Sequence, residues 1–419
     1  MPTRRASALL GVVTATLVGA LLSACGTASS VPSAGAASQR ASEPPRTPSF
    51  SATASPTSQG PSVKPVSLTS NVEHGATGVK VDTLVSVRAA FGQLTQVTLG
   101  YRGQDRWGRT VAGHLSGAMS KDRTSWTATE RLEPGTLYFL AMTGKNSENK
   151  VTKKTTSFRT QNLTLDEQTF PTIYPLPGSR VGVGMPVVLT FDLPVKNRAA
   201  FEKNMHVVSS PVQPGTWHWF SSREVHYRPK QYWRPGTKVT VQAKINGVNA
   251  GGGIYGQKSA STSFTVGRSL ITKINLDSHR AAVIQNGRHV RTIPISAGKS
   301  GWETRSGTKL IMNKEYTHRM TNQMIGAAET YDLNVHYAMR ITTSGEFLHA
   351  APWNTGNFGR RNASHGCVGM STVNAAWLFR QVLIGDPVIT VGSRRRVELD
   401  NGYADWNLSY AAYAKGSAL

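Results

Sequence analysis

Cysteine is almost absent from this chain: Cys25 and Cys367 are its two cysteines in 419 residues. At most one disulfide can form, which excludes a small disulfide-scaffolded fold. No C-x-x-C and no H-x3-H pair occurs, so the usual spacing of a structural zinc site is missing. Acid is scarce as well. There are 23 Asp and Glu against 47 Lys and Arg, for a net charge of +24. Such a balance suits an anionic partner surface: nucleic acid, acidic lipid or an anionic cell envelope. RRM, KH and zinc-finger patterns are lacking, so nothing favours nucleic acid. Long helical periodicity is also lacking between about 66 and 266.

What is present begins at the N-terminus. Arg4 and Arg5 precede an apolar run from about Ala8 to Leu22, too short for a comfortable membrane span and of signal-peptide length. The run ends in "LLSAC", which is similar to a bacterial lipobox. That resemblance implies a signal segment over 1–24, cleavage before Cys25 and diacylglycerol on its thiol. The protein is then expected at the outer face of the plasma membrane, lipid-anchored in the cell envelope. Lipidation of Cys25 would leave Cys367 a lone thiol in an exported protein, which calls for a role.

Residues 25–65 carry Ser, Ala, Pro, Thr and Gly with almost no large apolar side chains, and are expected to form a disordered tether. A flexible coil of that length spans about 35 Å end to end. The fold expected beyond it is mainly β. "TLVSVRAAF", "QVTLGYR", "LYFLAMTG", "PVVLTFDL" and "KVTVQAKI" read as strands between turn residues. An internal repeat is visible: "LEPGTLYF" (132–139) matches "WRPGTKVT" (233–240), and "TSFRT" (156–160) matches "TSFTV" (262–266), in the same order. Two related β-sandwiches of immunoglobulin-like type are expected, over 66–160 and 161–267. A third unit follows over 268–392. It opens with a hairpin around Asn286-Gly287, a type I′ pair, and closes with "GDPVITV". Between them, Ser371 caps an expected short helix carrying Ala375, Leu378, Phe379 and Val382. The tail, 393–419, is rich in aromatics and is expected to dock on the folded domains.

Cys367 sits in "FLHAAPWNTGNFGRRNASHGCVGMS" (347–371). A buried, inert cysteine is the common case. Here a glycine precedes the thiol and a helix soon follows, so the helix N-terminus is expected to lower the thiol pKa. A metal site needs three or four ligands. Cys367, His365 and His349 supply three and nothing accompanies them, which makes the metal reading the weaker one. A nucleophile needs a base. His349 ends the strand-like run "GEFLHA", and the Gly/Asn/Pro-rich loop after it returns the chain to Cys367. His365, beside the glycine, is better placed to organise the turn.

The pattern "HAAPW … SHGCVGMS" resembles the active-site signature of the YkuD-type L,D-transpeptidases. With the lipobox, the two sandwiches and the tail "DWNLSYAAYAKG", it resembles the mycobacterial-type members. The resemblance implies a cysteine acyltransferase that cross-links peptidoglycan without cofactor or metal. Its partners would be a donor tetrapeptide stem and an acceptor stem, and its product a 3→3 link between diaminopimelate residues. Carried over, Cys367 is the nucleophile and His349 the base. The Ala350 carbonyl orients His349, and the amides of Gly366 and Cys367 form the oxyanion hole. Tyr331 assists by its hydroxyl, and Met320, Trp353, Ser364 and His365 border the substrate. Carbapenem-type β-lactams are the implied covalent inhibitors. Gly369 departs from the family, which usually has Asn or Arg there, and this puts acceptor choice and rate in question. Arg360-Arg361 are expected either to contact an acidic stem or to form a solvated face. The same acyl-enzyme would also serve an L,D-carboxypeptidase or an attachment enzyme. A wall-binding lipoprotein with impaired catalysis is the reading from another class.

Overall fold

The computed structural model describes residues 63–104, 108–326, 328 and 330–419. The expected signal segment, Cys25 and nearly all of the tether lie outside them. Strands dominate, with two four-stranded sheets in the first module. One runs Ser67–Ser70, Ser86–Ala90, Ser125–Ala128, Gly117–Met119, and the other Thr110–Leu115, Gln93–Gln104, Leu137–Lys145, Val151–Arg159. Period-two alternation produces the core. In "LYFLAMTGK", Tyr138, Leu140 and Met142 are buried while Phe139 and Ala141 face solvent.

The second module repeats the plan around a more aromatic core. Trp217, Trp219 and Trp233 are all buried there, and the Trp233 indole N–H donates to the Met185 carbonyl at 2.8 Å. The sequence repeat is a structural repeat. The Thr160 amide donates to the Thr136 carbonyl, and the Val266 amide to the Thr237 carbonyl, at the matching positions. Gly75 and Gly178 likewise donate to Ser157 and Ser263. "PGT" turns and "TSF" strands therefore do one job twice: they pin the start of one strand to the end of its neighbour.

The third unit is built on nine strands. Their order is Gly307–Leu310, Pro387–Val391, Leu270–Asn275, Arg280–Gln285, Arg288–Ser296, Val368–Met370, Phe347–Ala350, Asp332–Arg340, Asn313–Thr321. Asn286 and Gly287 make the expected two-residue hairpin, both with positive φ (51° and 80°). The nine-residue strand Arg288–Ser296 joins the two halves of the sandwich. Most of it pairs with Arg280–Gln285, while Ile295 and Ser296 pair with Met370 and Gly369. The short helix Thr372–Gln381 is capped by Ser371, whose Oγ accepts from the Asn374 amide at 3.3 Å. Ala375, Leu378 and the following Val382 seal one side of this core.

The tail docks on the second module and on the third unit. The Trp406 indole N–H donates to the Gly184 carbonyl at 2.7 Å. The buried Arg228 guanidinium lies between the rings of Trp406 and Tyr413, 4.5 and 4.4 Å from their centroids. On the other side, Asn407 Oδ1 accepts from the Thr308 amide at 2.8 Å.

Candidate active site

Two parallel neighbouring strands bring the site together. Leu348 pairs with Val368, His349 with Gly369 and Ala350 with Met370. Leu348, Val368 and Met370 point into the core. By alternation, Cys367, Gly369, Phe347 and His349 face the opposite side, where they line a cavity of about 560 Å³. A seventeen-residue loop thus returns Cys367 to the strand beside His349.

His349 is buried, and its Nδ1–H donates to the Ala350 carbonyl at 2.8 Å. That bond fixes the tautomer and leaves Nε2 as the basic nitrogen. Burial holds the imidazole pKa below its ordinary value, only partly offset by the Ala350 bond. The ring is neutral at neutral pH.

Cys367 differs from expectation. Three strand residues separate it from the helix, placing Ser371 roughly 13 Å of extended chain away. A helix dipole is felt within its first turn, so it does not reach this sulfur. Burial pushes the thiol up to about 12, the nearby Glu346 carboxylate adds to the rise, and the Phe347 amide and Arg340 only partly counter it. The resting site holds a neutral thiol and a neutral imidazole on one cavity face, diagonal to one another across the strand pair. The thiol hydrogen points at the Gly345 carbonyl, 3.6 Å from Sγ.

The loop before the cysteine spends its polar groups on itself. Ser364 Oγ donates to the Cys367 carbonyl at 2.6 Å and accepts from the Gly366 amide at 3.2 Å. Ser364 therefore braces the turn, and the Gly366 amide must give up that contact to serve an oxyanion. Gly366 has φ +121°, a conformation that side chains avoid, so glycine is required there. His365 packs between Trp302 and Tyr331, its ring 5.3 and 5.6 Å from theirs. Met320 packs with Phe347 and Cys367 on the cavity wall. Trp353 stands at the rim, 56% exposed, its ring 6.1 Å from that of His349.

Arg360 and Arg361 do not line the cavity. Both are exposed, and Arg361 Nε donates to Asn357 Oδ1 at 3.1 Å within the loop. The solvated-face alternative describes them. The cation that does line the cavity is Arg340, which sequence reading missed. A second missed feature lies behind the site. Lys309 is 1% exposed and pairs with Glu346 at 3.2 Å; Arg305 pairs with the same carboxylate at 3.0 Å and with Glu398 of the tail at 2.7 Å. Asn401 of the tail accepts from Thr343 Oγ1 and the Ser344 amide, both at 2.9 Å. The tail thereby holds the turn whose Gly345 carbonyl meets the thiol. "TTSGE" and "TRSGTK" are ordinary polar text until the fold brings them together.

No group of three or more His, Cys, Asp or Glu among the described residues could hold a metal ion. Residues 271–390 match the YkuD family, described as the L,D-transpeptidase catalytic domain, and residues 76–249 match a bacterial Ig domain. L,D-transpeptidase 2 of Mycobacterium tuberculosis is 35% identical over 359 residues, covering 84% of this chain and 85% of that protein. The chain belongs to the L,D-transpeptidase family. L,D-transpeptidase 5 of the same species is 31% identical, covering 80% of this chain and 73% of that protein. A solved L,D-transpeptidase in complex with imipenem shares 36% identity over 52% of this chain and 97% of its own, with a TM-score of 0.46. This L,D-transpeptidase carries a YkuD β-sandwich catalytic domain after a bacterial Ig-like region.

Proposed function

We propose that this transpeptidase works through a cysteine acyl-enzyme on peptidoglycan stems. The observation that carries the reading is the shared cavity face of Cys367 and His349, with Nδ1 of His349 tied to the Ala350 carbonyl and Nε2 left basic. Sγ attacks the diaminopimelate carbonyl of a donor tetrapeptide while His349 Nε2 takes the thiol proton. The bond to the terminal D-Ala nitrogen breaks, and the imidazolium returns the proton to that leaving amine. The side-chain amine of diaminopimelate on an acceptor stem then attacks the thioester, releasing the thiol and forming a 3→3 link. Because both groups rest neutral, proton transfer accompanies attack and no thiolate precedes it.

Binding of donor and acceptor stems follows from this reading, as does covalent capture of carbapenem-type β-lactams, whose strained amide acylates the same thiol. The basic n-region, the short apolar run and Cys25 support lipid anchoring at the outer face of the plasma membrane. Substrate contacts by Tyr331, Met320 and Trp353 are supported by their place on the cavity wall. The test is product analysis on a disaccharide-tetrapeptide. Wild type releases D-Ala and yields a cross-linked dimer, and Cys367→Ala does neither. Release of D-Ala without dimer would identify water as the acceptor. An intact cysteine that never acylates would overturn the reading.

A further inference from the structure

Arg340 lines the cavity, in the cross-strand row that contains Cys367. Arg340 pairs with Phe347 across the antiparallel strands, and Phe347 lies beside Cys367, its amide hydrogen directed at the sulfur. All three residues line the cavity. Neighbouring strands are about 4.8 Å apart, so Arg340 and Cys367 backbones stand roughly 10 Å from one another. His349 is a diagonal neighbour of Arg340 on the same face, roughly 8 Å away.

The guanidinium is held but not neutralised. Its carbon sits 4.3 Å over the Phe347 ring, which fixes the side chain's direction. Among the described residues its one hydrogen bond is a long 3.4 Å contact to the Thr342 carbonyl. No described carboxylate pairs with it: Glu346, the nearest along the chain, is committed to Arg305 and Lys309. Arg305 and Lys309 have carboxylate partners and the buried Arg228 is enclosed by tail aromatics, whereas this half-buried cation has no carboxylate partner among the described residues and opens onto the cavity. A guanidinium is always charged and presents a planar fork that matches a carboxylate.

We propose that Arg340 receives the terminal carboxylate of the acyl donor, the one on the departing D-amino acid; this rests on the acyl-enzyme reading above. The geometry suits that fragment. In a donor ending –CO–NH–CHR–COO⁻, the carboxylate carbon lies one residue beyond the scissile carbonyl, at most about 3.6 Å away. The departing amine must stand by His349 and the scissile carbon by Cys367. Arg340 faces both from one side. A donor longer by one residue would carry its carboxylate up to about 3.6 Å further and lose the contact. Arg340 is thus a specificity residue that reads where the donor ends.

The experiment compares two donors with the full chain: a stem tetrapeptide ending in free D-Ala, and the same stem ending in D-Ala amide. Wild type is expected to prefer the free acid by about tenfold or more in kcat/KM, the usual effect of a charge-assisted contact. Arg340→Gln is expected to treat both donors alike, and Arg340→Lys to keep part of the preference. Alkylation of Cys367 by iodoacetamide, which carries no charge, is measured on each variant to show that the site is folded. If wild type does not prefer the acid, or a folded Arg340→Gln still prefers it, the assignment is wrong while the acyl-enzyme stands. If wild type acylates with neither donor, the acyl-enzyme reading itself fails.

Discussion

His226 Nδ1 and Asp405 Oδ1 lie 2.9 Å apart across 179 residues of chain, both side chains buried. This pair fastens the tail to the second module. Glu224 holds the other imidazole nitrogen at 2.9 Å, and Tyr413 donates to Asp405 at 2.8 Å. Burial alone would lower the His226 pKa, but the two carboxylates outweigh it and raise it to about 9.

A group bound more tightly to its proton in the folded state stabilises the fold below its unfolded pKa, near 6.5, and loses that contribution as pH rises through its folded value. Stability should therefore be flat with respect to this group below pH 6.5 and fall by about 1.4 kcal/mol per pH unit up to about pH 9. Chemical denaturation at a series of pH values measures the slope. His226→Gln should flatten the fall in this window, and an unchanged slope would remove His226 as its source.

The thiol chemistry can be read without substrate. A pKa near 12 at Cys367 means that its alkylation rate climbs about tenfold per pH unit through pH 9. A plateau below pH 8 would reveal a resting thiolate paired with imidazolium and contradict the neutral pair.

Glu346 holds two buried cations, so removing its charge is costly. Glu346→Gln is expected to destabilise by about 3–5 kcal/mol, because Lys309 and Arg305 lose their shared partner. Lys309→Met with Glu346→Gln removes both charges of one pair and should cost less than the sum of Lys309→Met and Glu346→Gln alone. Urea unfolding of the three variants completes the cycle. Strict additivity would show that the pair is not coupled.

Gly369 stands opposite His349, and a Cβ built on it meets the Ala351 Cβ at 3.0 Å. Ala351 must give way by a few tenths of an ångström. Gly369→Ala should cost about 1 kcal/mol and lower kcat, and Ala351→Gly should recover most of both. Failure of that rescue would place the role of Gly369 elsewhere than in the space beside His349.

Much of this molecule was written in short-range patterns. Alternation marked strands such as Leu137–Lys145, Asn-Gly marked a hairpin, Ser371 marked a helix start, and the PGT and TSF pairs marked two modules of one kind. Each depends on backbone geometry or neighbours within a few residues, which is why the chain states it locally. The motif around Cys367 likewise pointed to the family, and to Cys367 and His349 as two residues of one site. Tertiary structure decided the rest, because charge and burial depend on groups distant in sequence. The interposed strand Val368–Met370 kept the helix dipole from the thiol, and burial then left that thiol protonated. Asp405 reached His226, Asn401 reached the Gly345 turn, and Glu346 neutralised Lys309 only after folding. Pairing across the sheet put Arg340 on the cavity lining and left Arg360 and Arg361 in solvent, so the sheet's register chose which cation lines the cavity.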